Sequence, residues 1–272
     1  MNIIKCLHTN SKCYKAAQEA VPVGIVVHST GANNPNMKRY VQPSKSDTNY
    51  NKLIKTIGLN ANGNSWNRSV DKAVHYVIGK LADGTVGVAQ VLPETYCAWG
   101  VGKGKKGSYN YNPTAHIQFE VCEDDLKNAT YFNDCYNASV ALCADICKRW
   151  GWKSSAIVSH AEAYKKGYAS NHADIDHWLK KHGKTMNDFR KDVDNLLNPP
   201  KVIAVGDIVE FTASTHYYSA NSLTGKKCKP GKAKVLQIYQ LGKSRHPYQI
   251  KAISGGGSTV YGWVNAKDIK NT

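Results

Sequence analysis

The segment VGIVVHS, residues 23–29, restricts the fold more than any other stretch of the chain. A run of β-branched residues without polar alternation cannot form one face of a solvated sheet. It reads as a strand covered on both sides, which requires further elements above and below it. Pro22 precedes the run and a polar turn follows, so the strand ends at His28. The segments KAVHYVIG (72–79) and TVGVAQVL (85–92), joined by KLADG, predict a hairpin, and AHIQFEV (115–121) predicts another strand. Across residues 130–151, Phe132, Tyr136, Val140, Cys143, Cys147 and Trp150 recur at helical three-to-four spacing, with Gly151 as the stop. That helix leads to AIVSH, a short strand ending at His160. Strands alternating with helices predict an α/β domain, a mixed central β-sheet flanked by helices.

The tandem prolines of NPPK, 198–201, cannot continue the helix expected over TMNDFRKDVDNLL and instead stiffen a connector. They predict a first domain over 1–198, a linker over 199–202 and a second domain over 203–272. The first 200 positions carry 25 basic and 17 acidic residues, and the last 72 carry 11 and 3, so the smaller domain is the more densely positive. Its segments VGDIVEF, GKAKVLQIYQ, PYQIKAI and YGWVNAKDI are short alternating strands between turn residues, the pattern of a small all-β barrel.

A formal net charge of +16 points to an anionic partner: nucleic acid, an acidic membrane surface or an acidic wall polymer. The first residues hold no apolar core of signal-peptide length, and nothing approaches the roughly 18 apolar residues of a membrane span. The expectation is a protein made in the cytoplasm without membrane insertion, which needs a release route if it works outside. The eight cysteines include no CxxC pair, which argues against a cysteine zinc cluster or a dithiol redox motif, and all eight read as reduced.

Residues 158–178, VSHAEAYKKGYASNHADIDHW, hold three of the chain's ten histidines, His160, His172 and His177, beside Glu162, Asp174 and Asp176. His28 and His160 each end a short apolar strand, and ligands presented from strand ends are rigidly aimed. A catalytic zinc takes three protein ligands and keeps one open position, so a third ligand is expected from the loop after His160, with Asp174 and Asp176 as candidates. Two neutral imidazoles and one carboxylate leave such a site net positive and electrophilic. His75 and His116 lie within strand patterns and read as structural. GVGKGKKGS, 100–108, lacks the lysine and the following helix of a phosphate loop and reads as a mobile basic rim of a cleft.

Taken in chain order, GIVVHST, VHYVIGKLADGTV, LPETYCAWGVGKG, HIQFEVCED and IVSHAEAYKKGYASNHADIDHW resemble the zinc-dependent N-acetylmuramoyl-L-alanine amidases of the peptidoglycan-recognition and phage-lysozyme superfamily. The likeness is greatest to endolysins and autolysins of clostridia and their phages. It implies a single Zn2+ and hydrolysis of the amide joining the muramic acid lactyl group to L-alanine of the peptidoglycan stem peptide. It also implies the ligands His28, His160 and Asp174, with His172, two residues before the last of them, stabilising the oxyanion. Many members carry a tyrosine just before the hairpin's HY, where this chain has Val74. Members without it use a glutamate after the hairpin, which falls on Glu94 and implies that Glu94 is the proton-transfer residue. Asp176 and His177 are expected as supports, and Trp99 and Trp66 as surfaces against which sugar or peptide could stack.

The second domain resembles the bacterial SH3-like domains that follow such catalytic domains, with YGWVNAKDI similar to their terminal strand. The resemblance implies binding to a cell-wall polymer, for which its positive charge and Tyr217, Tyr218, Tyr239, Tyr248, Tyr261 and Trp263 are suited. A non-catalytic peptidoglycan-recognition protein is the alternative, and it predicts a missing ligand where all three are present. Nucleic-acid binding needs a basic, aromatic-interleaved segment that the larger domain lacks. A cysteine hydrolase built on Cys122 lacks an activating partner.

Overall fold

The computed structural model describes residues 2–63, 65–199 and 201–272. The chain divides into two compact units, Met1–Pro199 and Pro200–Thr272. Of the tandem prolines at the seam, Pro200 lies outside the described residues.

The first unit is built on a six-stranded sheet of β1 (Ile3–Lys5), β2 (Ile25–Ser29), β3 (Tyr76–Lys80), β4 (Val86–Gln90), β5 (Ile117–Val121) and β6 (Ile157–Ser159). Their order is β1-β4-β3-β5-β2-β6. The β3–β4 hairpin is antiparallel, whereas β2 runs parallel to both β5 and β6, so the sheet is mixed. All five residues of β2 are buried, as its unbroken apolar run requires.

Alternation along the strands sorts side chains onto two faces. Ile25 and Val27 of β2, Ile117, Phe119 and Val121 of β5, and Ile157 of β6 pack into the core beneath α3 (Ala129–Trp150) and α6 (Met186–Leu197). Asn128 caps the start of α3, and Gly151 ends it in the left-handed conformation that glycine adopts without steric cost. The remaining helices are α1 (Lys12–Ala16), α2 (Tyr50–Ile57), α4 (His160–Lys166) and α5 (Asp176–Lys181). On the opposite face of the sheet, Leu53 and Ile57 of α2 close one cluster, and Val26 and Val158 join Val101, Tyr109, Ala163 and Ala169 in another. His28 of β2 and Gln118 and Glu120 of β5 belong to this second face by the same alternation, and His28 stands in register beside Glu120.

Residues 158–178 are less loop-like than their composition suggests. β6 ends at Ser159, and His160 opens α4. Ser159 accepts a hydrogen bond from the Glu162 amide while the Glu162 carboxylate accepts one from the Ser159 amide, a reciprocal cap. Arg190 of α6 grips the same carboxylate at 2.8 and 2.9 Å. Glu162 is therefore committed to holding His160 at the start of the helix.

The second unit is a separate seven-stranded sheet in which every pairing is antiparallel. Its strands are β7 (Ile208–Phe211), β8 (Thr215–Tyr217), β9 (Gly225–Lys227), β10 (Gly231–Ile238), β11 (Tyr248–Ala252), β12 (Tyr261–Val264) and β13 (Ile269–Asn271). Val209, Phe211, Val235, Ile250 and Val264 form its core. No helix among the described residues is long and apolar enough to cross a membrane. All eight cysteines are free thiols.

Candidate metal centre

Three side chains expected as ligands meet on the second face of the first unit's sheet. His28 Nδ1 lies 3.0 Å from His160 Nδ1 and 3.2 Å from Asp174 Oδ2, and His160 Nδ1 lies 3.5 Å from the same oxygen. Donors about 2.1 Å from one tetrahedral ion stand about 3.4 Å apart, so this triangle has the size of three corners of a metal site. The chemistry of the donors agrees. His160 Nε2 donates to the Ser170 carbonyl at 3.1 Å, which puts the hydrogen on that nitrogen and turns the Nδ1 lone pair toward the cluster. Burial depresses the pKa of His28, with Asp174 opposing. Burial alone would raise Asp174, but the hydrogen bonds from His160 and His28 hold it well below the usual carboxylate range. A neutral His28 and an ionised Asp174 are the protonation states that coordination needs.

The cluster opens into a cavity of about 350 Å³ that Trp66, Trp99, Lys72 and Val74 also line. His172 stands at its edge with 63% of its side chain exposed, its Nδ1 3.8 Å from Asp174 Oδ1. A second cavity of about 600 Å³ shares Asp71, Trp99 and Gly102 with the first and extends to Lys103, Gly107 and Tyr111, so the basic glycine-lysine loop does border the cleft.

Glu94 is not brought to this cluster. Its carboxylate accepts from Arg149 at 2.6 and 2.7 Å, from Trp150 Nε1 at 2.9 Å and from the Tyr76 hydroxyl at 2.7 Å. Tyr76 and Trp150 pack with the α3 core, so the sheet separates Glu94 from His28. Burial would raise its pKa, but Arg149, Trp150 and Tyr76 together lower it. Glu94, the residue expected to transfer the proton, thus stands apart from the triangle, and each of its lone pairs already has a donor.

The glutamate that does line the cavity, beside Asp71 and Asp174, is Glu120. Its Oε2 is buried without a hydrogen-bond partner. Burial, and then the negative charges of Asp174 and Glu123, push its pKa well up, with Lys72 opposing. The signal was present in HIQFEV: in an otherwise apolar strand beside β2, the alternate positions hold glutamine and glutamate.

The other candidates fall into place around the cluster. Asp176 opens α5 with a buried, unpartnered Oδ2, and His177 reaches Glu123 at 3.0 Å; neither belongs to the ligand triangle. His75 is held by the Tyr96 carbonyl and the Gln118 amide, both at 2.9 Å, and His116 stacks on Tyr109. Cys122 is buried, and burial first of all pushes its thiol well up, which removes it as a nucleophile.

A sheet-borne cleft with two imidazoles, a facing carboxylate and a neighbouring orphan carboxyl is the arrangement of a hydrolytic centre able to hold a metal ion. A family model described as N-acetylmuramoyl-L-alanine amidase matches residues 18–177, which contain all of these side chains. The chain belongs to that family of peptidoglycan amide hydrolases. No curated protein matches the chain. Among solved structures it is similar to the Staphylococcus aureus hydrolase AmiA in complex with its ligand, at 16% identity over 73% of this chain and 84% of that one, TM-score 0.43. It is similar to the PlyG catalytic domain at 17% identity over 75% and 100%, TM-score 0.46, and to PlyL at 16% over 71% and 97%, TM-score 0.45.

Proposed function

We propose that the protein is a zinc-dependent amidase that cuts the bond between N-acetylmuramic acid and L-alanine of peptidoglycan. The observation that carries this reading is the triangle of His28 Nδ1, His160 Nδ1 and Asp174 Oδ2 at the floor of a cleft, in a chain of this family. Those three residues would hold Zn2+. When bound, the ion supplies a Lewis acid that polarises the amide carbonyl and makes water more acidic.

The chain's own residues do the rest. Glu120, the cavity carboxyl without a partner, accepts the proton of the attacking water and delivers it to the leaving alanine nitrogen. His172, exposed at the rim, donates toward the carbonyl oxygen as negative charge develops there. The Ser170 carbonyl fixes the orientation of His160, and Trp66 and Trp99 give flat apolar surfaces for a sugar or peptide.

Residues 1–198 form the catalytic domain in this reading, and 203–272 an SH3-like domain that holds the enzyme on a wall polymer at raised local concentration. The motif resemblance supports clostridial-type walls as the target and an endolysin or autolysin that reaches them after release from the cytoplasm. Purified protein incubated with cell walls is expected to contain about one zinc per chain and to release alanine amino groups without new reducing sugars. Chelation is expected to stop the reaction. Reducing sugars, or wall binding without any release, would overturn the proposal.

A further inference from the structure

We propose that Lys103, Lys105 and Lys106 of the loop bordering the cleft, together with Lys165 and Lys166 on the adjoining end of α4, form a docking surface for a phosphodiester-linked anionic wall polymer. This deepens the amidase reading and rests on it. The five lysines come from two segments fastened to each other. The Lys106 amide donates to the Gly167 carbonyl at 2.8 Å, the Tyr109 amide to the Tyr168 carbonyl at 3.0 Å, and the Ser170 amide to the Val101 carbonyl at 2.8 Å. Gly104 passes so close that a Cβ there would lie 2.3 Å from the Gly167 oxygen, so this approach requires glycine. The lysine-bearing loop is thus set on a defined backbone, one that also carries Ser170, the residue orienting His160.

The charges on this rim have no internal answer. All five lysines are exposed, and among the described residues none of them makes an ion pair, whereas Lys12, Lys127, Lys184 and Lys201 do. Of the acids that sense Lys165 and Lys166, Glu162 is committed to Arg190 and to its cap, and Asp176 is half-buried in the first turn of α5 and pairs with neither lysine. Five unneutralised ammonium groups repel one another, and a polyanion relieves that repulsion at several points together. A stem-peptide carboxylate answers one charge. A repeating phosphate answers them in series, and the ammonium group suits phosphate as a compact point charge. Lys103 also lines the cavity continuous with the metal centre, so a polymer held along the rim keeps the surrounding glycan at the cleft.

The test uses the full chain with all five rim lysines changed to glutamine, and a control with Lys45, Lys52, Lys55, Lys148 and Lys153 changed likewise. Two subsets, Lys103/Lys105/Lys106 and Lys165/Lys166, are made separately and are expected to give partial effects. Binding to poly(glycerol phosphate) is measured on chelator-treated protein, which separates docking from turnover. Kinetics are measured on intact walls, on walls stripped of phosphodiester polymer, and on a soluble muramyl peptide. The rim variant is expected to bind the polymer about tenfold more weakly at low salt and to raise KM on intact walls by a similar factor, with kcat unchanged. On stripped walls and on the soluble peptide it should match the parent. An equal loss in the control variant, unchanged polymer binding, or a raised KM that persists on stripped walls, as peptide-carboxylate recognition would give, overturns the proposal. Polymer binding that depends on the rim in a protein without amide release would sink the amidase reading and leave this one standing.

Discussion

Glu94 and Glu120 are the same side chain on opposite faces of one sheet, and they have been given opposite surroundings. Glu94, on the α3 face, has four donors within 2.9 Å and a pKa pulled down by them against its burial. Glu120, on the cleft face, has a buried oxygen with no donor and a pKa pushed up by burial and by Asp174. A carboxylate whose lone pairs are filled is structural. One that is left unsatisfied in a cavity is free to take a proton, and the fold bears the cost of keeping it so.

The comparison can be broken by mutation. The largest effect is expected from Asp174→Ala, which should lose zinc and bring activity to background together, because it removes the only anionic corner of the cluster; metal analysis and wall hydrolysis check it. Glu120→Gln should retain metal while kcat falls by about 10²- to 10⁴-fold. If Glu120→Gln turns over at the parental rate, the assignment of proton transfer to the cleft face is wrong. Glu94→Gln should do the reverse, holding kcat within about twofold while denaturant titration shows a loss of about 2–3 kcal/mol, since it strands Arg149 and Trp150. His172→Ala, exposed at the rim, should reduce kcat by only about tenfold, or about 1.4 kcal/mol.

The opposite pKa shifts sharpen the contrast in metal-free protein. Glu94 has a depressed folded pKa, so its contribution is present above the unfolded carboxyl value of about 4.3 and is lost as pH falls through the folded value. Glu120 has a raised folded pKa, so its protonated form favours the native state below about 4.3 and that advantage is lost as pH rises toward the folded value. Stability curves of the two glutamine variants should therefore differ from the parent with opposite signs at pH 7, Glu120→Gln the more stable, and both differences should shrink in acid. Differences of the same sign would contradict the two environments.

Much of this was legible in the residues. The apolar run of β2, the period of α3, its glycine stop and the tandem prolines each state a local requirement that little else in the chain can override. His28 and His160 were legible as a strand-end pair able to converge with Asp174, although His160 opens a helix; the Ser159-to-Glu162 cap spells that out in SHAE. The glutamate was not. Choosing between Glu94 and Glu120 depends on which face of the sheet each one occupies and on what Arg149, 55 residues from Glu94, does there. Partners that distant leave no local trace, whereas strand alternation in HIQFEV did hold the cue for Glu120.

Because β2 lies between β5 and β6, the hydrolytic centre draws on positions 132 and 146 residues beyond His28. A chain emerging from the ribosome can complete the hairpin and even β5 while still lacking two of the three side chains that close the triangle. Such parallel pairings, with long crossovers between them, are slow to form. A fragment cut short before β6 therefore lacks two of the three side chains of the triangle, and in the proposed reading is expected to hold no metal and cut no wall.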